Sequence, residues 1–138
     1  MRFLVMVMGD EATESGKLPT TEELAEMGNY NEELVKAGVM LTGEGLHPSS
    51  KGVRIDYSGE KPVVIDGPFA EAKELVAGFW MIQTQSLEEA VDWLSRAPFR
   101  SGHVEIRQVF EDAEFGDALT PELRAQSERH RTQGAKNA

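Results

Sequence analysis

Two stretches of this chain, RFLVMVM at residues 2–8 and VAGFWMIQT at 76–84, are apolar at nearly every successive position. Side chains alternate between faces along a strand, so each stretch presents apolar groups on both sides of a sheet. In the first, Phe3, Val5 and Val7 share one face and Leu4, Met6 and Met8 the other; in the second, Trp80 and Ile82 oppose Phe79 and Met81. Any fold must therefore cover that sheet twice. Helices cover one side. A monomer that left the second side bare would expose an unusually large apolar patch. A two-fold dimer packed sheet against sheet meets the requirement, and a homodimer is the expectation.

The remaining elements follow from caps and periodicity. Thr20 and Glu23 stand at capping-box spacing. Leu24, Met27, Asn31, Leu34 and Val35 then recur at helical intervals, and Gly38 is a natural stop. Gly28 falls inside that helix, where glycine costs roughly 1 kcal/mol against alanine, so close packing is expected there. Residues 9–19 read as loop. VMLTGEGLH at 39–47 reads as a strand loosened by Gly43 and Gly45. Residues 52–57 and 61–66 flank Ser58-Gly59-Glu60 as a hairpin, in which the run 63–65 reads as buried. Ser86 and Glu89 cap a second helix with Leu87, Ala90, Val91 and Leu94 on its apolar face. In HVEIRQVF at 103–110, Val104 and Ile106 oppose His103, Glu105 and Arg107. The order β-α-β, hairpin, β-α-β predicts an α+β fold on the ferredoxin-like, split βαβ plan, with both helices on one face of an antiparallel sheet.

Charge narrows the partners. The formal net charge is −10, which argues against nucleic acid and against anionic membrane surfaces. There is no cysteine, so no thiol chemistry is available. The first apolar run is too short for a signal segment or a spanning helix, which points to the cytoplasm. Residues 1–112 are expected to form the folded domain. Residues 113–138 are expected to be a polar tail, partly helical with a disordered end; from 120 onward it holds four Lys/Arg against two Asp/Glu.

The element order, together with GEGLHP, VIDGPFAEAKELVAGFW and VEIRQVF, resembles the YCII-related family and its DGPF-type branch over roughly residues 1–110. Asp66-Gly67-Pro68-Phe69, with Glu71 and Lys73-Glu74, carries most of the resemblance. The family implies a ferredoxin-like fold that pairs into a dimeric α/β barrel. It implies no single activity, although some relatives resemble lyases or dehydrohalogenases that act on small aromatic compounds through a His–Asp pair.

Two readings of the signature stand side by side. Asp66 ends a strand before a rigid Gly-Pro turn, so its carboxylate either accepts turn N–H groups and holds the loop, or faces a cavity beside Phe69 as a general base. His47, before Pro48, is either an exposed strand-end residue or its acid partner, since imidazoles exchange protons near neutral pH. Arg107 would anchor a substrate carboxylate or phenolate, unless it serves an ion-pair ladder with Glu105. Glu44, Phe69 and Lys73 complete the substrate-binding candidates. No H-x-H, H-E-x-x-H, P-loop or G-x-G-x-x-G pattern occurs, so neither a metal nor a cofactor is expected. The chain thus reads as a small cofactor-independent lyase or isomerase with an Asp66–His47 acid/base pair. The alternative is a non-catalytic dimer that binds a small molecule or serves in regulation.

Overall fold

The two doubly apolar stretches become the central strands of the sheet. In the computed structural model, which describes residues 1–138, β1 (Arg2–Met8) and β5 (Val76–Gln83) pair antiparallel, with Phe3 opposite Ile82 and Val5 opposite Trp80. β2 (Met40–Gly45) and β6 (Val104–Gln108) flank them in the order β2-β5-β1-β6. Every pairing is antiparallel. This is the ferredoxin-like order, and the connection between β2 and β5 carries an insertion. β3 (Val53–Asp56) and β4 (Val63–Asp66) form a separate two-stranded sheet there.

Helix α2 (Thr21–Lys36), capped by Thr20, and α3 (Leu87–Leu94), capped by Ser86, cover one face. Tyr30, Leu34, Ala90 and Leu94 pack there with Phe3, Val5, Val39, Trp80 and Ile82 as one core. Burying Leu34 completely contributes about 2 kcal/mol. The indole N–H of Trp80 donates to Asn31 Oδ1 at 2.9 Å, and the Tyr30 hydroxyl donates to the Trp93 carbonyl at 2.7 Å. Both buried polar groups are thereby satisfied.

Several expectations need correction. The buried positions of α2 are Tyr30 and Leu34, while Leu24 and Val35 are exposed. The helix is rotated so that Tyr30 and Asn31 reach the aromatic core and its polar atoms. In α3, Leu87 and Val91 are exposed for the same reason: Ala90 and Leu94 define the face that meets the sheet. Gly28 is not closely packed, because a Cβ built on it meets nothing within 4 Å. Gly43 is tight instead: its added Cβ would lie 2.7 Å from Trp80 Cδ1, so β2 crosses the indole where no side chain fits. Residues 9–19 contain a short helix, α1 (Glu11–Glu14), capped by Asp10. The run 63–65 is not buried: Val63, Val64 and Ile65 are 56%, 63% and 43% exposed, because their hairpin stands apart from the main sheet.

On the other sheet face, Leu4 lies opposite Met81 and Met6 opposite Phe79, and all four are half-buried. The chain divides into two compact units, Met1–Gln108 and Val109–Ala138. The second unit holds a 3-10 segment, Asp112–Ala118, followed by α4 (Pro121–Lys136), so the helix extends almost to the C-terminus. Arg131 binds Asp112 through two hydrogen bonds of 2.9 and 2.6 Å, and Phe110 stacks on Phe115 at 5.1 Å. No helix of the chain is long and apolar enough to cross a membrane.

Candidate functional site

The signature turn is fixed by residues far from it in sequence. At the exit of β1, the Gly9 N–H donates to the Leu75 carbonyl at 2.7 Å, and Asp10 Oδ1 accepts the Thr13 N–H at 2.8 Å. This starts α1 and carries Glu14 to the turn that follows β2. There the Glu14 carboxylate accepts the Ser49 N–H at 3.0 Å and the Ser49 hydroxyl at 2.5 Å. These two donors, the hydroxyl first, hold the Glu14 carboxyl below the usual carboxylate range.

Ser49 then grips the signature. Its Oγ accepts the Phe69 N–H at 3.0 Å, while the Gly67 N–H donates to the Gly52 carbonyl at 3.0 Å. A Cβ added to Gly67 would stand 1.8 Å from the Ser49 carbonyl oxygen, which is backbone and has no soft way to yield. Glycine is required here by close approach rather than by dihedral freedom. The Arg54 guanidinium lies 3.9 Å above the Phe69 ring and fixes it from the hairpin side. Just beyond, Glu71 adopts φ 62°, ψ 61°, a left-handed conformation uncommon outside glycine.

Within this frame the candidates take distinct places. Asp66 closes β4 opposite Val53 and is exposed; its carboxylate accepts no hydrogen bond and joins no ion pair. His47 precedes the Pro48–Ser49 turn and lines a cleft of about 10 Å³, room for one water, with Gly9, Thr13, Glu14 and Leu75. The segments of His47 and Asp66 therefore meet at Ser49, without a hydrogen bond between the two side chains. Phe69 is half-buried in the same cluster, and Lys73 is exposed in the 3-10 turn Ala72–Glu74. Glu44 and Arg107 are elsewhere. Both belong to the half-buried apolar sheet face, Glu44 in register with Phe79 on one edge strand and Arg107 in register with Leu4 on the other. Three strand spacings, roughly 14 Å, separate them. Arg107 Nη1 lies 3.4 Å from Glu105 Oε2, two residues along the same strand. No group of three His, Cys, Asp or Glu stands close enough to hold a metal ion.

Glu14, Ser49 and Arg54 were not among the residues singled out from sequence. Pro48-Ser49-Ser50 signals a turn, but nothing local marks the partner of Ser49, which lies 35 residues upstream. Arg54 and Phe69 meet only because β3 and β4 pair.

The family model described as the YCII-related domain matches residues 1–113. An uncharacterised protein of Rhizobium meliloti is 31% identical over 114 residues, covering 79% of this chain and 92% of that protein. Among solved structures, the 5-chloro-2-hydroxyhydroquinone dehydrochlorinase of Burkholderia phenoliruptrix, in complex with 2,5-dihydroxybenzoquinone, aligns with a TM-score of 0.47 at 14% identity, over 83% of this chain and 98% of that one. With a ferredoxin-like sheet, a Ser49-anchored Asp-Gly-Pro-Phe turn and a family match over most of its length, the chain belongs to the YCII-related family.

Proposed function

We propose that this chain is a cofactor-independent lyase or isomerase acting on a small organic substrate, with Asp66 as the base and His47 as its partner acid. One observation carries the proposal. The signature turn is held by Ser49 Oγ, by the Gly52 carbonyl and by the packing of Gly67, while the Asp66 carboxylate holds nothing. A carboxylate placed on a fixed turn yet free of structural duty is available for proton transfer. The left-handed Glu71 supports the same reading, since strain of this kind concentrates at working sites. Asp66 would take a proton from the substrate, and His47, on the adjoining segment, would return one to the departing group. Phe69 and Lys73 would line the approach.

The reading includes a homodimer. Leu4, Met6, Phe79 and Met81 offer an apolar face that a second sheet would cover. A two-fold axis lying in that interface along the strands sets the β2 edge of one protomer over the β6 edge of its partner. Glu44 and Arg107, apart within one chain, would then bound a shared chamber from opposite protomers. Sedimentation should find a dimer at micromolar concentration. A panel of small hydroxylated and halogenated aromatic compounds, incubated without added metal or nucleotide and scored by mass spectrometry, should contain a substrate whose turnover disappears in His47→Gln. Turnover that depends on an added cofactor, or survives in His47→Gln, removes the reading. Binding without turnover favours the non-catalytic alternative.

A further inference from the structure

The hairpin of β3 and β4 forms a sheet of its own, so the outer edges of both strands are unpaired. The Gly67 N–H donates to the Gly52 carbonyl at 3.0 Å, in the register that sets Val53 opposite Asp66. Opposed residues alternate between bonded and unbonded pairs along an antiparallel ladder. Gly52–Gly67, Arg54–Ile65 and Asp56–Val63 are therefore the bonded pairs, and the N–H and C=O groups of Val53 and Ile55 point away from β4. On the β4 edge the outward positions are Val64 and Asp66, preceded by Pro62, which has no N–H to give. The β3 edge carries neither proline nor lysine, residues that commonly close such edges.

A two-fold axis at Ile55 makes this edge its own complement. Antiparallel pairing there sets Ile55 against Ile55 of the partner subunit as a bonded pair, and Val53 against Tyr57 of the partner subunit as another. The unbonded pair between them, where side chains come closest, is Arg54 with Asp56 of the partner subunit, and symmetry repeats it. Both charges are available. The Arg54 guanidinium stacks on Phe69 at 3.9 Å and joins no ion pair, and its in-plane N–H groups remain clear of the ring. Asp56 Oδ1 accepts the Ser58 N–H at 2.8 Å and the Ser58 hydroxyl at 2.6 Å, while Oδ2 accepts nothing. On the other face of the hairpin, Val53, Ile55 and Val64 are exposed, and the same axis continues them into one apolar strip.

We infer that β3 pairs antiparallel with β3 of a second copy of this chain across a two-fold axis at Ile55, joining two hairpins into one four-stranded sheet. Strands of four residues make a small contact, at the low end of interface sizes, so it forms at higher concentration than the pairing of the apolar sheet faces. The inference rests neither on that pairing nor on the chemistry of Asp66.

The chain has no cysteine, so a single introduced thiol reports the contact. Opposed Cα atoms of a bonded pair stand about 5.5 Å apart, within disulfide reach. At high micromolar concentration with oxidised glutathione, Ile55→Cys should therefore form a covalent dimer on a non-reducing gel. Val64→Cys is the control: it lies on the same exposed face, yet three strand spacings, roughly 14 Å, would separate it from its mate, and it should stay a single chain. In the Ile55→Cys background, Arg54→Asp and Asp56→Arg each set like charges opposite one another and should slow cross-linking about tenfold, and the two together should restore it. The combined variant still lacks the Arg54–Phe69 contact, so restoration reports the pairs between chains. Cross-linking of both thiols at one rate, which hairpins packed face to face would give, overturns the inference. So does an Ile55→Cys chain that stays single, which an edge reserved for an extended segment of another protein would give, or a combined variant as slow as the single ones.

Discussion

Gly67→Ala probes the junction on which the candidate site rests. The new methyl group would sit 1.8 Å from the Ser49 carbonyl oxygen, 2.7 Å from its carbon and 3.3 Å from the Gly52 oxygen. Carbon and oxygen come no closer than about 3.3 Å even in short C–H···O contacts, so the two backbones must part by roughly 1.5 Å. That displacement breaks two hydrogen bonds, Gly67 N–H to Gly52 O and Phe69 N–H to Ser49 Oγ, both 3.0 Å in the native turn. At about 1 kcal/mol net for each, the loss is about 2 kcal/mol. Strain from overpacking adds about 1 kcal/mol or more.

The total of about 3 kcal/mol has a ceiling, because β3 and β4 form their own sheet and can detach while the four-stranded core persists. Urea unfolding followed by tryptophan fluorescence therefore needs a local companion. Amide exchange of residues 63–69 should accelerate by the same free energy even if the global midpoint moves less. Gly59→Ala is the control, since the nearest atom to its added Cβ is 3.9 Å away. If Gly67→Ala exchanges its hairpin amides like the parent and unfolds within about 0.5 kcal/mol of it, the docking of the signature on Ser49 is not as described.

Other expectations follow from single observations. Gly28→Ala, in the open interior of α2, should stabilise the protein by about 0.5–1 kcal/mol in the same urea assay. The Glu14 carboxyl is held below 4.5 by Ser49, so its contribution is present above about pH 4.5 and is lost as pH falls through its lower folded value. The Phe69 amide should lose protection over that acid window, and Glu14→Gln should abolish the transition. Burial pushes the Tyr30 phenol up to about 12, so its neutral form stabilises the fold below about pH 10, and that contribution is lost as pH rises toward 12. In a Tyr57→Phe background, phenolate absorbance should report a Tyr30 midpoint near 12; a midpoint near 10 would contradict its burial.

The framework of the fold was legible because it rests on local signals. Capping residues Thr20 and Ser86 start the two helices that cover the sheet where expected, and doubly apolar runs mark β1 and β5. Which helical face turns inward was less legible. Tyr30 and Asn31 are buried or half-buried through hydrogen bonds to Trp93 and Trp80, partners 63 and 49 residues away. The hairpin was found, yet its exposure was not, since an apolar run of three residues does not say which surface will meet it. At the site, Asp66-Gly67-Pro68-Phe69 announced a turn and nothing in it announced Ser49. The turn-cap use of the Asp66 carboxylate could be set aside only once the donors of the turn had been assigned to other acceptors.

The turn-cap and base uses of Asp66 also set the most direct test of the central claim. Asp66→Asn keeps the shape of the side chain and removes the base, whereas Ser49→Ala removes the hydroxyl that accepts the Phe69 N–H. Turnover of an established substrate and urea stability should be measured on both. The account predicts that Asp66→Asn abolishes turnover and changes stability by less than about 1 kcal/mol, the net scale of one hydrogen bond. Ser49→Ala should destabilise the turn and retain activity in proportion to the docked fraction. An Asp66→Asn protein that turns over substrate at the parental rate, or loses activity only as far as it loses stability, would contradict the claim that Asp66 is the base.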